Sequence, residues 1–276
     1  MSMMAEFFDI TKDSRQLFKD TEIMKTEYAS EINQYPTIFI SFANAKGDKI
    51  NIVRQIKGQL QREYERVSFI FDNLTEFESN DYSRIKKDLM EIDNGSINSS
   101  VFALAFLMRQ MEQYYGKKVM IFIDEYDTPF IEFHVQGFYE DIRSSLANML
   151  HNALKASDSL QYVMLTGIQR VEKEDLNNIF ACTVKDMEYS QYFGFTEEET
   201  RTLLEYYDLS LNDKVRNMYD GYRFGETNIY NPWSLINYAS RKKLEPYWVN
   251  TSSNTLIRKA MEKRDLSFKN AYENLI

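Results

Sequence analysis

Two carboxylates end the most apolar run of the chain. Val119-Met-Ile-Phe-Ile-Asp124-Glu125 reads as a buried strand that delivers Asp124 and Glu125 to the carboxyl edge of a sheet, where open α/β folds bind ligands. The two groups suit different tasks. A first carboxylate can hold Mg2+, directly or through water, while the ion bridges phosphates. A second can orient or deprotonate an attacking water. Asp124 and Glu125 fit those roles in that order. The plainer alternative is an acidic pair that caps a strand and faces solvent. Asp127 and then Thr128-Pro129 follow, so the loop after the strand is acidic and is expected to turn sharply. Several like charges in a short turn repel one another unless a cation or an arginine compensates.

A second apolar run supplies candidates for that compensation. Leu160-Gln-Tyr-Val-Met-Leu165 leads into Thr166-Gly167-Ile168-Gln169-Arg170, which sets a hydroxyl, an amide and a guanidinium at the same edge. Such groups can sense a terminal phosphate or hold an attacking water. Equally, Thr166-Gly167 can be a simple turn and Arg170 a charge partner for Asp124 or Asp127.

The elements that must position these residues alternate in type. Tyr35–Phe42 reads as a short buried strand, rich in β-branched and aromatic residues. A helical pattern over Asn51–Asn73 places Ile52, Ile56, Leu60 and Tyr64 on one stripe. Further helices are expected over Asp81–Ile92, Asn98–Tyr115 and about Phe138–Ala156, with strands at Val119–Ile123 and Leu160–Gly167, both buried. Phe180–Met187 is a weaker strand candidate. From Thr196, whose Glu-Glu-Glu sequel starts a helix, the pattern turns helical to the end. Two punctuated stretches, Tyr219–Gly225 and Ile229–Trp233, interrupt it. Buried strands alternating with long helices predict a parallel α/β sheet. The expected division is a core over 1–195 and a helical subdomain over 196–276.

Composition narrows the chemistry. The 33 basic and 42 acidic residues leave a net charge of -9, which gives no support for binding a nucleic-acid backbone. One cysteine, Cys182, rules out an internal disulfide or a thiolate metal site, and two histidines, His134 and His151, are too few for a multi-histidine centre. The N-terminal stretch lacks the basic and long apolar regions of a secretion signal, and no apolar run has the length of a bilayer span. A cytoplasmic protein without membrane attachment is the expectation.

Four strings, taken in order, carry a family likeness: Val119-Met-Ile-Phe-Ile-Asp-Glu-Tyr-Asp-Thr-Pro, Leu165-Thr-Gly-Ile-Gln-Arg-Val, Tyr219-Asp-Gly-Tyr-Arg-Phe-Gly and Tyr230-Asn-Pro-Trp-Ser-Leu. Over roughly residues 1–250 the chain resembles the bacterial AAA-ATPase-like family. Its members are similar to AAA+ and STAND P-loop ATPases and often carry a C-terminal PD-(D/E)XK nuclease-like domain. The resemblance implies a P-loop NTPase-like parallel α/β core with a helical, lid-like C-terminal subdomain. It implies Mg2+ and ATP as the cofactors of full-length relatives. Asp124 and Glu125 match the Walker B acids, with Asp124 as the metal ligand and Asp127 beside it on the cofactor side. Thr166–Arg170 match the strand-end motif in the place of a sensor. Tyr219–Gly225 and Tyr230–Trp233 match motifs whose aromatic, Gly and Pro content equally suits packing.

One part of such a site is missing. A phosphate cradle needs Gly-x-x-x-x-Gly-Lys-Ser/Thr between a strand and a helix, and no such string occurs. Gly116-Lys117-Lys118 lacks the first glycine and the hydroxyl, and it leads from a helix into a strand, the wrong polarity for a helix N-terminal cradle. In the family that loop lies immediately before the helix that here begins at Met1. The expectation is a core lacking its first strand and P-loop, through truncation rather than decay, with nucleotide bound weakly or not at all. In AAA+-type sheets the absent strand sits between the strand after Walker B and the last one. Its loss leaves a sheet edge open to a second copy of the chain, a rearranged last strand or marginal stability. Two functions from different classes fit: the remnant core of an ATPase, and a non-catalytic interaction or regulatory module. Direct nuclease action is weaker, since Asp124-Glu125-Tyr126-Asp127 lacks the lysine of a PD-(D/E)XK site.

Overall fold

The structure, a computed structural model, describes residues 1–137, 139–168 and 179–248. The chain divides into two compact units, residues 1–178 and 179–276.

The first unit is mixed α/β. In chain order it comprises α1 (Ser2–Phe8), α2 (Arg15–Phe18), β1 (Thr37–Ser41), α3 (Lys49–Arg66), α4 (Glu76–Met90), α5 (Ala103–Tyr115), β2 (Val119–Asp124), α6 (Thr128–Gln136), α7 (Tyr139–Leu154) and β3 (Leu160–Leu165). The three strands form one parallel sheet in the order β1-β2-β3. Thr37 stands opposite Met120 and Ser41 opposite Asp124, while on the other flank Ile123 stands opposite Leu165. Val119 to Ile123 are all buried, which is why this stretch is continuously apolar rather than alternating. Each such side chain contributes about 1.5–3 kcal/mol by leaving water.

The two faces are covered differently. Met120 and Phe122 lie under α1, in a cluster with Ala5 and, partly buried, Phe8 and Phe39; the Phe8 and Phe122 rings stack at 6.0 Å. On the opposite face Ile38, Ile40, Ile121 and Ile123 are fully buried beneath α3, α5 and α7. The stripe anticipated on α3 is there: Ile52, Ile56, Leu60 and Tyr64 point inward, and Asp48 caps the helix by accepting from the Asn51 N–H at 2.8 Å. Lys57 on the same helix is wholly buried. Its ammonium donates to Asp88 Oδ1 at 2.9 Å, while Asp88 Oδ2 accepts from the Ser100 N–H at 2.7 Å and hydroxyl at 2.6 Å.

Several expectations need correction. The sharp turn after β2 is present over residues 125–127, but Thr128 and Pro129, expected in that loop, begin α6. Pro at the first helical turn has no N–H to waste there and its fixed φ suits a helix. β3 is not a buried strand. Among the described residues it lies at the sheet edge, with Tyr162 and Met164 65% and 41% exposed. Phe180–Met187 forms no strand.

The second unit contains α8 (Glu197–Tyr206), α9 (Asp213–Tyr219), β4 (Asp220–Phe224), β5 (Thr227–Tyr230) and α10 (Pro232–Arg241). The capping box of α8, Thr196 with Glu199, forms as its sequence signal indicates. The unit is not purely helical: the two punctuated stretches build an antiparallel hairpin, β4-β5, that turns through Gly225 at φ +54°. Asn231 then caps α10 through the Ser234 N–H at 2.9 Å. Tyr219, Tyr230, Leu235 and Tyr238 share one buried cluster, so these residues pack the unit. No helix among the described residues is long and apolar enough to cross a membrane.

Candidate functional site at the carboxyl edge of the sheet

The parallel sheet carries the ends of β2 and β3 to the same place. The Thr166 N–H donates to the Ile123 carbonyl at 3.0 Å, and the Thr166 carbonyl accepts from the Tyr126 N–H at 3.0 Å. This zipper holds the Thr166 hydroxyl against Asp124, where it donates to Oδ1 at 2.5 Å. On the β1 side the Phe42 N–H donates to the Asp124 carbonyl at 2.9 Å, with Ser41 opposite Asp124 in register. Asp124 therefore sits between two strand ends that both present hydroxyls. Ser41 carries no signal in the sequence beyond closing a short apolar run, and it was missed.

Glu125 is set by strain and by the start of α6. Its backbone is left-handed at φ +51°, a conformation that costs a side-chain-bearing residue roughly 1–2 kcal/mol. Its carboxylate accepts from the Thr128 hydroxyl at 3.0 Å, and the Thr128 N–H donates to the Glu125 carbonyl at 3.1 Å. The Asp124 and Glu125 carboxylates thus have different partners, Thr166 on the next strand and Thr128 in the first turn of α6.

Asp127 is placed differently from its neighbours. It is buried, and its Oδ2 accepts from the Ile168 N–H at 2.8 Å. Gly167 fits between these two segments because it has no side chain: a Cβ there would stand 2.6 Å from Asp127 Oδ1 and 3.0 Å from the Tyr126 ring. The glycine of the Thr166-Gly167 pair is thus required by close approach and not by a special φ. Farther along the edge, the loop after β1 meets α6, where the Gly47 N–H points at Glu132 Oε2 at 3.4 Å. Arg170 and Gln169 lie outside the described residues.

Among the described residues, no three His, Cys, Asp or Glu side chains gather into a metal cage. The oxygen donors at this edge, the Asp124 carboxylate and the Thr166 hydroxyl bonded to it, match a hard cation such as Mg2+. That ion is ordinarily held by one or two carboxylates, with water and substrate phosphates completing its shell.

A family model described as "Predicted AAA-ATPase" matches residues 1–177, the whole of the sheet and its helices. The chain belongs to that AAA-ATPase-like family. A relative from Azotobacter chroococcum mcd 1, named "Uncharacterized protein in vnfD 5'region", is 29% identical over 165 residues; the match covers 57% of this chain and 32% of that protein. The AAA-ATPase-like chain therefore matches about a third of that relative's length. No solved structure matches it.

Proposed function

We propose that this AAA-ATPase-like chain carries the metal-and-water half of an ATP site. Asp124 holds Mg2+ and Glu125 orients the attacking water and takes its proton. Thr166 positions the Asp124 carboxylate, and Arg170 answers the charge on the terminal phosphate. The bound ion would supply charge neutralisation between phosphate oxygens. The chain's own residues orient the carboxylates, set the water and close the strand end behind them. The observation that carries this reading is the 2.5 Å hydrogen bond from Thr166 to Asp124. It joins the two motifs at one strand edge beside a Glu125 held in a left-handed backbone. Backbone strain of this kind persists where function requires it.

The reading includes a deficit. The sequence holds no Gly-x-x-x-x-Gly-Lys-Ser/Thr loop, so we infer that these 276 residues by themselves bind nucleotide weakly or not at all. Residues 196–276 are read as the lid-like subdomain. Two titrations of the 276-residue chain separate these claims. Mn2+ binding followed by electron paramagnetic resonance should be lost in Asp124→Asn; unchanged binding overturns the metal assignment. Calorimetric titration with Mg-ATP should give no micromolar affinity; a micromolar dissociation constant overturns the deficit.

A further inference from the structure

Asn94-Gly95 is the only Asn-Gly pair in the chain, and it lies in the loop between α4 and α5. Lys57 of α3 fastens that loop from below. Its ammonium donates to the Asp88 carbonyl at 2.8 Å, to Asp88 Oδ1 at 2.9 Å, to the Glu91 carbonyl at 3.1 Å and to Asn94 Oδ1 at 3.3 Å. At the far end of the loop Asp88 Oδ2 accepts from the Asn98 N–H at 3.1 Å and the Ser100 N–H at 2.7 Å. Both ends are therefore anchored, and Asn94 is fixed between them over the lysine.

The Asn94 side chain is held in an unusual way. Its Oδ1 accepts a second hydrogen bond, from the Ser96 N–H at 3.1 Å, and Nδ2 donates to Glu91 Oε2 at 3.4 Å. The Ser96 bond folds the side chain back across its own peptide link and so brings the amide carbon toward the Gly95 nitrogen. That nitrogen donates no hydrogen bond among the described residues, and glycine adds no Cβ to hinder its approach. Asn94 itself is exposed, so water reaches it.

We propose that Asn94 is a self-deamidation site that the fold activates. Solvent hydroxide takes the proton of the Gly95 N–H, and the nitrogen's electron pair forms a bond to Asn94 Cγ. The carbonyl pair moves onto Oδ1, where the Lys57 ammonium and the Ser96 N–H meet the new negative charge as the donors of an oxyanion hole do. As that pair returns, the bond from Cγ to Nδ2 breaks and ammonia leaves, protonated by water. Water then opens the cyclic imide at either carbonyl to give aspartate or isoaspartate. One water is consumed and one ammonia released, with no oxidant or reductant. A rigid loop ordinarily protects an Asn-Gly pair by keeping nitrogen and amide carbon apart; here the same rigidity aims donors at the charge that develops. The aspartate form adds a carboxylate over the ammonium that already serves Asp88. The isoaspartate form adds a methylene to the main chain between two anchors and loosens the loop. Neither outcome depends on the nucleotide reading of the acid pair.

The test follows the amide-to-acid mass change by tryptic mass spectrometry of the full chain. Trypsin releases Asp88–Arg109, which also contains Asn98-Ser99 as an internal standard. The chain is aged folded and, at the same pH and temperature, in concentrated guanidinium chloride. A preorganised donor on a developing oxyanion is worth about 10²–10³ in rate where water is excluded; for an exposed amide the folded chain should react about tenfold faster than the denatured one. Lys57→Met, where it keeps the wild-type circular dichroism, should lose most of that gain; if it does not fold, the denaturant comparison on the wild type still decides. Isoaspartate should form beside aspartate, as opening of a cyclic imide requires. A folded rate at or below the denatured rate overturns the proposal. So does a folded Lys57→Met chain that reacts as fast as wild type, or a product that contains aspartate alone.

Discussion

Gly167→Ala tests whether the strand-end motif is built around Asp127. The added Cβ would sit 2.6 Å from Asp127 Oδ1 and 2.8 Å from its Cγ, well inside ordinary contact. Something must move. If the buried carboxylate rotates away, it gives up the Ile168 N–H now held at 2.8 Å, and a hydrogen bond to a charged group is worth about 1.5–3 kcal/mol. If the turn lifts instead, Thr166 is drawn off Asp124 and the strain is that of an overpacked site, about 1–3 kcal/mol. Either way the expected loss is about 1.5–3 kcal/mol, a large part of the stability of a typical domain. Urea denaturation followed by far-UV circular dichroism measures it. The mechanism also fixes a coupling: in an Asp127→Ala background the same substitution meets no carboxylate and should cost at least about 1.5 kcal/mol less. A Gly167→Ala chain within about 0.5 kcal/mol of wild type, or strict additivity with Asp127→Ala, would refute the reasoning.

Three further outcomes are expected. Glu125→Gly should raise stability by up to about 1 kcal/mol, because glycine accepts the left-handed backbone freely and offsets the lost bond from Thr128, while the water-orienting carboxylate is removed; a destabilised variant in thermal melts contradicts this. Lys57→Met should cost about 3–5 kcal/mol in the same urea assay, since it leaves Asp88 buried without its cation. Glu78→Gln bears on acid stability. The Thr75 backbone N–H first, then the Gln110 side chain, hold the Glu78 carboxyl down at about 2 from 4.5. Its folded value lies below the unfolded one, so its contribution is present above about pH 4.5 and is lost as the pH falls toward 2. Glu78→Gln should flatten the stability curve in that window and leave the slope near neutrality unchanged.

The parts of the fold that were legible in the sequence are those with a strong local signal. The continuous apolar run of β2, the i, i+4 stripe of α3 and the Thr-x-x-Glu cap of α8 each formed where their pattern placed them. β3 was misjudged because an apolar run looks the same whether a sheet covers it on two sides or one; only the partner count separates the cases. α6 was missed although Asp127-Thr128-Pro129 is a helix-start signal, since the acids ahead of it drew the reading toward a loop. At the site, proximity of Asp124 and Thr166 followed from two strands ending at one edge. The placement of Asp127 did not: its bond to Ile168 depends on a backbone approach across 41 residues, and no spacing rule encodes that.

The two carboxylates are held by separate local contacts. The Phe42 N–H donates to the Asp124 carbonyl and the Thr166 hydroxyl to its Oδ1, while Glu125 is held through Thr128 in the first turn of α6. Mn2+ binding and folding should then separate cleanly: Asp124→Asn should lose the ion yet keep the far-UV circular dichroism of wild type. An Asp124→Asn chain that unfolds would show that the carboxylate is needed to hold the strand end, and the separation of site from fold would fail.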